Sequence, residues 1–361
     1  MKVVKRILLA LVALVVVAGV AICVVYGGQL KTLGSLEKLS SYDDGYNLYS
    51  IDVDYSYDLD AIVAAGVRDD QSYIDAVLAQ VLPGLPVSVK APKFGCTAFE
   101  AQLAGSGDFV MGRNYDFKSD SSALLVRTHP KDGYSSIGFA ALNNLGANAP
   151  EKSIAKSVAA LLGPFAMLDG VNEKGVSICV LTLDSDPTEQ DSGKDAINTS
   201  LALRLVLDRA ATTQEAVDLL TSYDMHAMAG RDYHFFITDA TGDSRVVEYD
   251  PEADGRPLVA TPVREITNYY AINADKVQPN QKNGIYGHGK ERAEAVASVL
   301  DAAGSSVTGD IAWAALRASA QDPNPTDVTS NTQWSCVYDN TTRSVQITLR
   351  RNWDDVFEFE L

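Results

Sequence analysis

Hydrophobic and polar positions follow two rhythms along this chain, and one uninterrupted apolar run belongs to neither. Ile7 to Tyr26 contains no charged residue and follows Lys2, Lys5 and Arg6. As a helix it is long enough for a hydrocarbon layer of roughly 30 Å, which predicts an export signal, an anchor, or both. Its length favours an uncleaved signal-anchor over residues 1–27, with the basic end in the cytoplasm and the remainder exported. Secretion is expected instead where the signal is cleaved. Gly27 to Asp43 then reads as a polar linker. Helical spacing follows at Leu59–Ala65, closed by Gly66, and at Ser72–Leu82, closed by Pro83-Gly84. Residues 28–95 are thus expected to form a linker and a small helical module, the helical pattern running from Asn47 to Leu85.

Beyond Cys96 the period shortens to two. Thr97–Leu103 and Phe109–Phe117 flank Gly105-Ser106-Gly107-Asp108 and predict a hairpin. Ala123–His129 and Ser135–Leu142 flank Pro130-Lys131-Asp132-Gly133, and Met167–Leu183 predicts two strands around Asn172-Glu173-Lys174-Gly175. Helices are expected at Ser153–Leu162, Thr199–Ala210, Thr213–Tyr223, Lys290–Ala303 and Thr308–Ala320. Further strands are expected at Tyr233–Thr238, Arg245–Tyr249, Val263–Asn273, Gln333–Tyr338, Ser344–Arg350 and Val356–Leu361. Strand blocks separated by helix pairs predict an α+β layered domain over residues 96–361, not a doubly wound parallel sheet.

Composition narrows the functions. An apolar fraction of 46% permits an ordinary globular core, and a net charge of −17 without a basic patch argues against nucleic acid. Cys96, Cys179 and Cys336 are too few for a disulfide scaffold. Cys179 and Cys336 lie in apolar runs and read as buried thiols, with a bridge between them as the alternative. The histidines, His129, His226, His234 and His288, are scattered and no CxxC or HExxH occurs, so neither a metal nor another cofactor is expected.

Cys96 differs, because Gly95 precedes it and polar turns surround it. A thiol of pKa about 8.5 needs help to attack an amide near neutral pH, and no recognisable Cys, His and Asn arrangement supplies it. If the Gly95–Cys96 bond is broken, the new α-amino group, with a pKa of about 7.7–8.0, can take the thiol proton. One residue then provides nucleophile and base. A cysteine peptidase with an ordinary pair would have to use His234 or His288. The favoured account expects that replacing both with Gln leaves activity untouched.

Cys96-Thr97-Ala98-Phe99, Gly112-Arg113-Asn114-Tyr115-Asp116, Asp169-Gly170-Val171-Asn172-Glu173-Lys174-Gly175 and Ile266-Thr267-Asn268 stand in an order that resembles a known family. It is the choloylglycine hydrolase, penicillin acylase and acid ceramidase branch of the N-terminal nucleophile (Ntn) hydrolases, which cleave linear amides. The resemblance covers most of residues 96–361 and implies a four-layer αββα fold. It implies Cys96 as nucleophile, Arg113 beside the thiol, Asp116 on the liberated α-ammonium, Asn268 as oxyanion donor and Arg292 as a second active-site arginine. Alternatives stay open for each: a hairpin salt bridge for Arg113 and Asp116, an edge residue for Asn268, and a solvated helical side chain for Arg292. Where bile-salt hydrolases carry an Asn and penicillin V acylases a Tyr, this chain has Thr182, which becomes an oxyanion candidate and leaves the substrate class uncopied. Asn172 reads as a turn residue.

The Gly95–Cys96 junction after a preceding module resembles the acid ceramidase and isopenicillin-N acyltransferase arrangement, which implies self-cleavage by an N-to-S acyl shift. The expected partner is a small-molecule N-acyl amide, such as an N-acyl amino acid or a penicillin V-like or bile-salt-like conjugate. Val158–Phe165 is a candidate lining for its acyl chain, with buried core as the alternative. A homo-oligomer, acyl transfer in place of hydrolysis, and an anchored binding module without turnover remain open.

Overall fold

A computed structural model describes residues 24–84, 95–282, 284–324, 326–327 and 330–361. Helix α1 covers 24–34 and is followed by β1 (Glu37–Lys38), β2 (Leu48–Val53), α2 (Leu59–Ala64) and α3 (Asp70–Val81). Asp58 and Asp69 set the starts of α2 and α3. Each carboxylate accepts an orphan N–H of the first turn, and Ser72 Oγ accepts the Asp69 N–H in return. The chain continues through β3 (Gly95–Gln102), β4 (Phe109–Asp116), β5 (Ala123–Thr128), β6 (Ser136–Ala141), α4 (Ile154–Ala160), β7 (Met167–Asn172), β8 (Ser177–Thr182) and β9 (Ala196–Asn198). Then come α5 (Thr199–Arg209), α6 (Thr213–Thr221), β10 (Asp224–His226), β11 (Tyr233–Thr238), β12 (Ser244–Tyr249), β13 (Leu258–Pro262) and β14 (Glu265–Ile266). Helices α7 (Lys290–Ala303) and α8 (Gly309–Ser319) precede β15 (Thr332–Asp339), β16 (Ser344–Leu349) and β17 (Phe357–Glu360).

Two large sheets organise these strands. A nine-stranded sheet runs β1-β2-β5-β6-β7-β8-β11-β12-β13, and a six-stranded sheet runs β14-β3-β4-β15-β16-β17. Helices α5 and α6 cover the first sheet, and α7 and α8 cover the second. Successive side chains of a strand point to opposite faces. Accordingly Arg113 on β4 reaches Asp169 on β7, whereas its neighbour Asn114 reaches the Leu316 carbonyl on α8. The molecule is therefore an α+β sandwich of four layers, with its main core between the sheets.

The segment before Cys96 is part of that sandwich. Strand β2 pairs in parallel with β5, from Leu48 opposite Ala123 to Val53 opposite Thr128. Its side chains are buried on both faces except Asp52, so it shows no clean alternation and was hidden from a reading of Asn47–Leu85 as helical. Gly27–Asp43 is no free linker either, since it holds most of α1 and all of β1. Tyr55 and Tyr73 donate to the carbonyls of Leu161 and Phe165, so this segment roofs the apolar Val158–Phe165 run.

The expected exported, membrane-anchored placement is corrected here. Most of Ile7–Tyr26 falls in residues 1–23, outside the described residues, and no helix among the described residues is long and apolar enough to cross a membrane. The part of the run that is described begins α1, whose Gln29 donates to the Val81 carbonyl and whose Thr32 is fully buried in the domain.

Of the expected strand Val263–Asn273 only Glu265–Ile266 is strand. The chain changes sheets between β13 and β14, and Glu248 takes the N–H groups of Ala271 and Ile272 that a strand would have used. Cys179 and Cys336 are buried free thiols, unbridged.

Candidate active site

The β3–β4 register sets Gly95 opposite Asp116, Cys96 opposite Tyr115 and Ala98 opposite Arg113. Cys96 and Arg113 thus share the face that looks between the sheets, while Asp116 looks toward α7 and α8. Cys96 is fully buried, with Sγ 3.4 Å from the Val180 carbonyl on β8 and its main-chain N–H donating to Asn268 Oδ1 at 2.9 Å. Arg113 donates from Nε to Asp169 Oδ2 at 2.6 Å and from Nη1 to the same Val180 carbonyl at 3.0 Å. Asp169 also accepts from Trp334 Nε1 and the Tyr338 hydroxyl, so this buried carboxylate is fully engaged in holding the guanidinium.

Asp116 accepts from Thr332 Oγ1 at 2.6 Å, Gln321 Nε2 at 2.8 Å and Arg292 Nη1 at 3.3 Å. Arg292 lies in the first turn of α7 and is buried rather than solvated. Its Nη1 donates to the Cys96 carbonyl at 2.9 Å and to Thr97 Oγ1 at 3.1 Å, and its Nη2 donates to Asn268 Oδ1 at 2.7 Å. Gly289, at φ +83°, caps that turn, and a Cβ there would run into the guanidinium. Asn268 completes the network by donating Nδ2 to the Thr182 carbonyl at 2.8 Å. Thr182 Oγ1 is buried and makes no hydrogen bond. Gly95, Cys96, Arg113, Asp116, Thr182, Asn268 and Arg292, drawn from distant parts of the chain, therefore meet around one residue.

Burial pushes the Cys96 thiol up to about 12, with Arg113 opposing the rise and Asp116 adding to it. Cys179 is pushed to about 11 by the same cause and is likewise opposed by Arg113. The Asp116 carboxyl is raised by burial against the pull of Arg292, and the Asp169 carboxyl by burial against that of Arg113. With Cys96 N in an amide, its thiol is therefore protonated at neutral pH. Neither histidine offered to a conventional pair bonds to it: His234 contacts Glu248 and the Thr267 carbonyl, and His288 contacts Asp184.

Asp169, Thr332 and Gln321 belong to the site and were not singled out for it. Asp169 opens the Asp169-Gly170-Val171-Asn172 motif, and that was its only signal. Thr332 opens β15 and Gln321 lies in the loop after α8, and neither position carries a motif that marks it. Asn172 is structural as expected, its side chain bonding the Lys174 and Val176 N–H groups and the carbonyls of Leu207 and Ala210.

Four layers, with a cysteine on an inner strand between two arginines, define the class: an N-terminal nucleophile fold. Residues 103–354 match the family of acyl-coenzyme A:6-aminopenicillanic acid acyl-transferase, and the chain belongs to that family. No curated protein sequence matches it. Among solved structures it is similar to a mutant of conjugated bile acid hydrolase from Clostridium perfringens, at a TM-score of 0.55 and 17% identity, covering 74% of this chain and 92% of that one. It is also similar to penicillin V acylase from Agrobacterium tumefaciens, at a TM-score of 0.53 and 18% identity, covering 74% of this chain and 86% of that one.

Proposed function

We propose that this protein is a linear amide hydrolase that matures by cutting its own Gly95–Cys96 bond and then uses Cys96 as an N-terminal nucleophile. One observation carries the reading: the nitrogen of Cys96 is held by Asn268 while its sulfur lies in the field of Arg113. In maturation, Sγ attacks the Gly95 carbonyl carbon, the C–N bond breaks, and the thiol proton ends on the Cys96 nitrogen. Water then hydrolyses the thioester, leaving a Gly95 carboxylate and a free thiol. Gly95 has no side chain to obstruct the twisted peptide this shift needs.

In turnover the new amine takes the thiol proton and Sγ bonds to the substrate carbonyl carbon. Asn268 Nδ2 has a second hydrogen for the oxyanion, with Thr182 as the second donor. Arg113 favours the thiolate, and Asp116, facing Gly95 across the hairpin, receives the ammonium. The leaving amine accepts the ammonium proton, and water resolves the thioester to a carboxylic acid. The substrate is an N-acyl amide, a fatty or aromatic acyl group on an amino acid, amine or β-lactam nucleus, with conjugated bile salts as a variant. The matched family's own description favours a second outcome, transfer of the acyl group to an amine instead of water.

The test is mass spectrometry of the purified protein beside a screen of N-acyl amides against wild type and Cys96→Ser. A fragment beginning at Cys96 and release of free acid and amine are expected. Full activity from an uncut chain would overturn the maturation step. Adding a nucleophilic amine separates transfer from hydrolysis.

A further inference from the structure

Two histidines without a part in that chemistry bracket Asn268. His234, fully buried on β11, donates Nε2–H to the Thr267 carbonyl at 2.9 Å; a carbonyl only accepts, so this nitrogen bears a proton. Its Nδ1 faces Glu248 Oε2 at 3.5 Å, and Glu248 is fixed by the N–H groups of Ala271 and Ile272 at 2.9 and 2.8 Å. On the other side the main-chain N–H of His288 donates to the Asn268 carbonyl at 2.8 Å. The His288 ring bonds through Nδ1 to Asp184 Oδ2 at 2.6 Å, and Asp184 lies just beyond Thr182, whose carbonyl receives Asn268 Nδ2. Thr267 Oγ1 closes the frame on the Gly289 carbonyl at 2.8 Å. Gly287, at φ +101°, sits so tightly on Asn268 that a Cβ would run into its carbonyl.

Thr267 and Asn268 follow the two-residue strand β14 and have little ladder of their own, so side chains must supply the restraint. We propose that the pairs His234–Glu248 and His288–Asp184 are positioning residues: each clamps the main chain at Asn268 so that its Nδ2 stays aimed at the oxyanion. This rests on the reading of Asn268 as oxyanion donor. Such a donor works through preorganisation, and a displacement of order 1 Å costs about 100-fold in rate.

The two clamps use different ring nitrogens, which makes them separable. Gln places an N–H where Nε2 of histidine lies, and Asn places one where Nδ1 lies. His234→Leu and His288→Leu are expected to lower kcat by roughly 10- to 100-fold with KM within about twofold. His234→Gln and His288→Asn are expected to recover kcat to within about threefold, and the crossed variants His234→Asn and His288→Gln are not. This revises the expectation that Gln is harmless at both positions. Kinetics of all six variants, with mass spectrometry of each, form the test. Wild type that turns over while both Leu variants match it, or rescue indifferent to the choice of amide, overturns the clamp and leaves the hydrolase reading intact. Wild type without the Cys96-ended fragment and without turnover overturns the reading and the clamp together.

Discussion

Arg113 is the residue on which the site's electrostatics turn, because burial raises the thiols of Cys96, Cys179 and Cys336 and this guanidinium pulls all three down. It can do so only while Asp169 holds it. Asp169→Asn leaves a buried cation short of its partner and is expected to destabilise the fold by about 3–5 kcal/mol, read as a lowered urea midpoint. Thr182→Val removes a buried hydroxyl that has no partner, so stability should hold or rise while turnover falls. Equal loss of both would remove Thr182 from the oxyanion site. Cys96 also links stability to pH. Its thiol in the uncut chain is raised from 9.0 to about 12, so the folded form favours the neutral thiol. That contribution is whole below pH 9.0 and is lost as the pH rises toward 12. Between pH 7 and 10.5 the uncut chain should lose about 2 kcal/mol that Cys96→Ala does not lose, measured by urea unfolding at both values.

Among the elements, β2 decides what becomes of the segment before Cys96. Its ladder with β5 and the tyrosine bonds to Leu161 and Phe165 do not depend on the Gly95–Cys96 bond. The two pieces are therefore expected to co-elute in size-exclusion chromatography after cleavage and to separate only in denaturant. Ile51→Ala, at a fully buried position of β2, should cost about 2–5 kcal/mol and bring that separation to lower urea. Helices α2 and α3 of this segment were legible because helical spacing and Gly or Pro stops mark them, whereas most of α1 fell in the stretch expected to be a linker. Strand β2 was not legible, since a strand buried on both faces shows no period.

For the whole molecule, maturation is expected to switch reactivity on. Iodoacetamide should label Cys96 slowly in the uncut chain, as it does Cys179 and Cys336, and faster in proportion to the cut fraction, because only the cut chain has an amine beside the thiol. Labelling independent of cleavage would contradict this. From the sequence alone came the layered α+β class, the hairpin that bears Cys96 and Arg113, and the motif residues of the site, because alternation and turn chemistry are local properties. It expected a linker at Gly27–Asp43, which holds most of α1 and all of β1, since hydropathy does not show that polar residues such as Gln29 and Thr32 seat a helix on the domain. Tertiary structure alone decided that the leading segment belongs to the nine-stranded sheet, that Arg292 turns inward to Cys96, and that two histidines frame Asn268. None of these relations is local in the chain, and they arise only when the sheets form, stack and close on a common core.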